Sequence, residues 1–205
     1  MKSKKLMLIV AAGLCGITSG VCAADGPGKA EKLAMSFCGE CHGRNGDAIS
    51  PQFPKLAGQR SKFLETQMKT LRDHVRSNED AQDYMWGPAH SLDDETITAI
   101  AKYYSRQKPS PGGVVEYPAL AAKGKQLYEF KPTNADVGSC ADCHGQDAEG
   151  GGNEPRLAGQ HRHYLVKQLN LVHASKRSVP DKMNAAVRNL SPEEIEALAE
   201  YLQSK

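Results

Sequence analysis

Aromatic residues are scarce: one Trp, four Phe and seven Tyr make up 6% of the 205-residue chain. A chain of this length allows one large domain or two small ones of about 100 residues each. Two small domains with so few aromatic side chains would have thin cores that a cofactor could help to fill. An excess of charge of one sign is also missing. Lys and Arg number 26 against 24 Asp and Glu, a formal +2, too small to suggest the basic surface of a nucleic-acid binder. Long apolar runs are confined to the N-terminus; nothing beyond the first twenty-odd residues is apolar enough to span a bilayer. The 40% hydrophobic content argues against low-complexity disorder. Six cysteines are present, and their spacing decides the rest.

The N-terminus reads as an export leader. Lys2, Lys4 and Lys5 form a positive region, Leu6 to Ile17 an apolar stretch too short to span, and Cys22-Ala23-Ala24 a small-residue cleavage site. Cleavage is expected after Ala24 or one residue earlier, which removes Cys15 and Cys22. Leu14 and Val21 before them are poor residues for lipid attachment. The leader carries three basic residues and no acidic one, so the slight basicity of the whole chain belongs to it. The chain is therefore expected outside the cytoplasm.

Past residue 24 the chain repeats itself. Cys38-Gly-Glu-Cys41-His42-Gly43 returns as Cys140-Ala-Asp-Cys143-His144-Gly145. Pro54-Lys-Leu56-Ala-Gly58-Gln59 returns as Pro155-Arg-Leu157-Ala-Gly159-Gln160, and Gln67 returns as Gln168. Met85 with Leu92–Ile97 returns as Met183 with Leu190–Ile195. Two copies in one order indicate a tandem duplication; a solenoid would show shorter and more numerous repeats. Between them, Lys108-Pro-Ser-Pro-Gly-Gly-Val-Val-Glu-Tyr-Pro118 cannot continue a helix and suits an extended linker. The expected organisation is a leader over 1–24, domains over 25–108 and 118–205, and a linker over 109–117.

Within each copy the apolar period is helical. Ile195, Leu198, Ala199 and Leu202 share one face behind a Ser191-Pro192-x-Glu194 capping box, and Ile97, Ile100, Ala101 and Tyr104 do so behind Asp93. Further helices are expected over 60–76 and 160–176. A third in each copy should run into the Cys pair, from about Pro27 and from about Ala119. No convincing alternating strand is present, so the fold class is all-α, twice over.

Cys-x-x-Cys-His is the attachment signature of c-type haem. On one helical turn the two thiols, at i and i+3, face the same side and the imidazole lies beside them. The thiols of Cys38, Cys41, Cys140 and Cys143 can then add to porphyrin vinyl groups while His42 and His144 reach iron. A zinc site would need a second matched pair in each copy. A redox thiol pair would need a βαβ context. A structural disulfide would close a trivially short loop and leave each His unexplained. The expected cofactor is therefore two covalently bound haem c groups.

A sixth ligand should come from equivalent places in both copies. Met1 and Met7 leave with the leader, and Met35 and Met68 have no methionine counterpart and read as core fillers. Met85 and Met183 remain as the expected axial ligands. His74, His90, His161, His163 and His173 lack counterparts in register and read as surface or capping residues. His/Met ligation fills both axial positions, favours Fe(II) and makes electron transfer the default. The Pro54 and Pro155 carbonyls are placed to accept the imidazole Nδ1–H, and Leu56 and Leu157 to pack on the haem face.

On these residues the chain resembles the dihaem cytochromes c of the c4 type, two class I cytochrome c domains in tandem. The resemblance implies export to the bacterial periplasm, pseudo-twofold symmetry, haem propionates near the domain interface and rapid exchange between haems. It also implies electron delivery toward a terminal oxidase, sometimes with membrane association. The expected protein is an electron carrier, not an enzyme. A quinol-oxidising complex or a dehydrogenase would be its donor and an oxidase its acceptor, with no nucleic-acid partner. The alternatives are the cytochrome subunit of a dehydrogenase complex, and a dihaem peroxidase or thiosulfate oxidoreductase. One departure separates the copies: Asp73 to Tyr84, with Glu79, Asp80 and Asp83, is three residues longer than its counterpart. It reads as a solvated acidic loop, or as one that displaces the loop carrying Met85.

Overall fold

The computed structural model describes residues 28–130 and 137–205; the expected leader lies outside the described residues. The first half contains α1 (Lys29–Leu33), which passes through a π-helical turn (Ala34–Cys38) into α2 (Gly39–His42), then α3 (Ser61–Arg72). A second π-helical turn (Ala81–Met85) leads into α4 (Trp86–His90), and α5 (Asp94–Ser105) follows. The second half contains α6 (Pro118–Glu129), α7 (Cys140–His144), α8 (Arg162–His173), α9 (Asp181–Val187) and α10 (Pro192–Gln203). Among the described residues the only β pairing is an isolated bridge between Gly151 and Glu154.

The halves are built alike. α5 packs on α1 and α3, and α10 packs on α6 and α8. Ile97, Ile100, Ala101 and Tyr104 form the buried stripe of α5, and Ile195, Leu198, Ala199 and Leu202 that of α10. Each final helix starts where a side chain replaces a missing turn of hydrogen bonds. The Asp93 carboxylate accepts from the Thr96 N–H, and Ser191 with Glu194 completes a reciprocal capping box. One tyrosine per half is fully buried with its hydroxyl donating to a backbone carbonyl. It is Tyr104 of α5, bonded to Ala34, in the first half and Tyr128 of α6, bonded to Gly145, in the second.

Three elements differ from the sequence reading. α3 and α8 end at Arg72 and His173, short of the expected 76 and 176, because His74 and Ser175 take positive φ of 57° and 55°. Neither is a glycine, so nothing in the composition marked the turn. α6 does not run into the second Cys pair. It stops at Glu129, Phe130 is extended ahead of Pro132, and α7 starts afresh on a Ser139–Asp142 capping box. α9 was not anticipated.

The linker is a strap fastened to both halves. Ser110 bonds Asp47 and Lys55 of the first half. Gly113 N–H donates to the Gln203 carbonyl, and the N–H groups of Glu116 and Tyr117 donate to the Glu200 carboxylate. Glu200 is fully buried and also lies 3.2 Å from Arg162 Nε. The halves face each other through matching contacts. Gln160 clamps Lys55 by its N–H and C=O, and Gln59 clamps Arg156 the same way. This reciprocity is the signature of a pseudo-twofold axis.

Candidate functional site

A cavity of about 1350 Å³ is lined from both halves, larger than the 300–1,000 Å³ typical of a single small-molecule site. Cys38, Cys41, His42, Pro54, Leu56 and Met85 line it from the first half, and Cys140, Cys143, His144, Pro155, Leu157 and Met183 from the second. All twelve residues singled out in the sequence therefore border one space. Met68, expected as a core filler, also lines it, as does its counterpart Leu169. His42 and His144 are the only histidines among the lining residues.

The two histidines are held identically. Each is 7% exposed, and each Nδ1 lies 3.0 Å from a prolyl carbonyl, Pro54 for His42 and Pro155 for His144. A carbonyl only accepts, so Nδ1 carries the proton and Nε2 keeps its lone pair. Burial pushes both imidazoles below their ordinary pKa, against the opposing effect of the carbonyl bond. Burial prevails and leaves a neutral ring able to bind a metal. Gly43 and Gly145 close the Cys-x-x-Cys-His turns at φ of 76° and 84°. A Cβ on Gly43 would lie 2.5 Å from the Asp47 carbonyl oxygen, so only glycine serves there.

The four cysteines are not joined to one another; Cys41 and Cys143 are exposed, and Cys38 and Cys140 are half-buried. As free thiols the buried pair resist ionisation. Burial raises Cys38 and pushes Cys140 up to about 11, the opposite of an activated redox thiol. No cluster of three His, Cys, Asp or Glu side chains fit to hold an ion occurs among the described residues, so the zinc reading finds no donor set.

Met85 ends the second π-helical turn and Met183 lies inside α9. Equivalent residues thus arrive on different local structures. The longer loop before Met85 is only partly the solvated acidic loop expected. Glu79 and Asp83 are exposed, but Asn78 and Ala81 are buried and Asp80 pairs with Lys167 of the second half. Met85 still reaches the cavity. Phe53 packs edge-on against both His42 and Tyr84 in the first half.

The sequence reading passed over a polar cluster between the halves. Arg76 bonds Gln67 and Gln168, and Arg177 bonds the same two glutamines. Both arginines line the cavity with Tyr164, and neither forms an ion pair among the described residues. Burial and the neighbouring Arg76 push Arg177 down to about 10. The Arg156 Nε and Gln168 Nε2 donors, both in cavity-lining residues, are buried without partners. Two close guanidinium groups and two orphaned donors call for anions that the protein does not supply. The carboxylates of haem fit that need, as the four thiols and two neutral imidazoles fit its vinyls and iron. The signal was available: Arg76 and Arg177 stand at the same spacing as Gln67 and Gln168.

An all-α pair of domains around cysteine–histidine pockets defines a c-type haem protein with two centres. The cytochrome c family profile matches residues 28–106 and again 121–205. Cytochrome c-552 of Acidithiobacillus ferridurans is 37% identical over 198 residues, covering 96% of this chain and 84% of that one. The cytochrome c4 structure from Acidithiobacillus ferrooxidans superposes with a TM-score of 0.76 at 37% identity, over 82% of this chain and 98% of that one. A protein of Thiomonas intermedia described as a thiosulfate dehydrogenase electron acceptor is 31% identical, over 82% of this chain and 78% of its own length. The chain belongs to the cytochrome c family. It is a tandem, dihaem electron carrier of the c4 type, with two covalently bound haem c groups.

Proposed function

We propose that this protein is a periplasmic carrier of single electrons between respiratory-chain donors and a terminal acceptor such as an oxidase. His42 and Met85 would be the axial ligands of one haem iron, and His144 and Met183 those of the other. The observation that carries the reading is the donor set. In each half one buried imidazole keeps a free Nε2, and a methionine borders the same cavity. Haem iron, when bound, supplies a one-electron couple. The chain's residues would do the rest: the four cysteines would fix the group through thioether bonds, burial keeps each imidazole neutral, the prolyl carbonyls orient it, and the apolar walls exclude water. Occupying both axial positions leaves no place for oxygen or peroxide to bind, which suits a carrier.

The experiment is visible spectroscopy on the haem-loaded protein. The oxidised form should show the sulfur–iron charge-transfer band of Met ligation, and Met183→Ala and Met85→Ala should each remove one of its two contributions. Met68→Leu should leave the band intact. A band that survives Met85→Ala but is halved by Met68→Leu would reassign the first site.

The relative described as an electron acceptor of thiosulfate dehydrogenase supports a second reading, in which the donor is a dehydrogenase acting on a sulfur compound. Stopped-flow reduction by such an enzyme, compared with reduction by a quinol-oxidising complex, separates the two. Turnover of thiosulfate by the isolated chain would replace both with an enzyme.

A further inference from the structure

The bond that orients each histidine does not end at the proline. The carbonyl of Pro54 and the N–H of Lys55 are the two ends of one peptide group. Its oxygen lies 3.0 Å from His42 Nδ1, and its N–H donates to Gln160 Oε1 at 3.0 Å. The peptide group joining Pro155 to Arg156 repeats the arrangement. Its oxygen lies 3.0 Å from His144 Nδ1, and its N–H donates to Gln59 Oε1 at 2.7 Å. In both cases the glutamine belongs to the opposite half of the molecule. Each glutamine oxygen is also held by the N–H of the next residue, Arg60 or His161, and each Nε2 donates to the carbonyl of the clamped residue. Gln59 and Gln160 are 7% and 6% exposed, so water does not compete for these bonds.

A peptide group whose N–H is engaged by a good acceptor carries more negative charge on its oxygen; hydrogen bonds in such a chain strengthen one another by roughly 10–30% each. The more basic oxygen draws the Nδ1 proton harder, makes the imidazole a stronger donor to iron, and stabilises the oxidised state. We infer that Gln160 of the second half lowers the potential of the first haem through the Pro54–Lys55 peptide, and that Gln59 of the first half lowers that of the second through Pro155–Arg156. The two glutamines are positioning residues that touch neither haem ligand. Each redox centre is thus wired to the docking of the other half, and a change in the interface is reported at the irons. The inference rests on His42 and His144 being the iron ligands.

The test is a haem-resolved redox titration, followed by NMR, of Gln160→Leu and Gln59→Leu in the full-length dihaem protein. Gln160→Leu should raise the potential of the first haem and leave the second in place, and Gln59→Leu should do the reverse. The expected size is about tenfold in the reduction equilibrium, or about 59 mV for one electron. Gln160→Glu keeps an acceptor oxygen for the Lys55 N–H and should bring the first haem to its wild-type potential or below. The inference is overturned if each variant shifts the haem of its own half, if both haems move together in either variant, or if Gln160→Glu raises the first potential as Gln160→Leu does. The Nδ1–H proton resonances separate this from failure of the ligand assignment. Haem-shifted Nδ1–H signals in the wild type show that the histidines are ligands. Their absence removes that assignment and with it the inference.

Discussion

Single side chains in this protein act mainly by where they place a proton or a charge. His42 and His144 are kept neutral by burial and oriented by one carbonyl each; the carbonyls, though not the burial, could be read from the spacing of the Pro motifs to the histidines. The arginine–glutamine cluster left only its matched spacing in the sequence, because its meaning depends on two segments about 100 residues apart meeting across an interface. Asp94 shows the same economy at the surface. Hydrogen bonds from Lys69 and then Arg72 hold its carboxyl below the ordinary carboxylate value. A group depressed in the folded state contributes stability that is present above its unfolded pKa and lost as pH falls through the folded one. Thermal unfolding followed from pH 6 to pH 2 should therefore steepen below about pH 4, near the ordinary carboxyl pKa, and Asp94→Asn should flatten part of that acid limb. Asp94 is solvent-exposed, so the effect should also shrink in high salt.

Helices α5 and α10 were legible because their caps and apolar stripes agree, two levels of signal pointing to one answer. The ends of α3 and α8 were not, since a left-handed His or Ser leaves no mark in the composition. The break between α6 and α7 was announced by Lys131-Pro132, but the paired landmarks suggested a continuous helix like that of the first half. The swap of the buried tyrosine between the two members of the helix pair was invisible as well, because each copy satisfies the same volume by a different route. Where α6 crosses α10, Gly124 admits close backbone approach: a Cβ there would lie 1.9 Å from the Ala197 carbonyl oxygen. Gly124→Ala should therefore destabilise the second domain by about 3 kcal/mol, the upper part of the range for overpacking, as measured by denaturant unfolding. The obstacle is backbone, and no side chain can turn aside to relieve it.

Taken whole, the molecule is two domains joined by a strap and by reciprocal clamps. The clamps engage the backbone next to each histidine, so separating the domains would disturb both pockets. Calorimetry of the haem-loaded protein should show one transition, and the double variant Gln59→Leu/Gln160→Leu should split it into two. A single unchanged transition in the double variant would show that the clamps do not couple the halves. The reciprocity of Gln59 with Arg156 and of Gln160 with Lys55 is the geometry of an isologous interface, the kind by which a single-domain ancestor would pair with its own copy. Fusion into one chain removes a restriction that such a dimer cannot escape. In a homodimer every substitution appears twice and the two centres stay equal. Here Asp80 meets Lys167 and His161 meets the Ala48 carbonyl, with no mirror-image contact for either among the described residues. Duplication within one chain has allowed the two halves to diverge, and only unequal centres can give an electron a preferred direction through a symmetric frame.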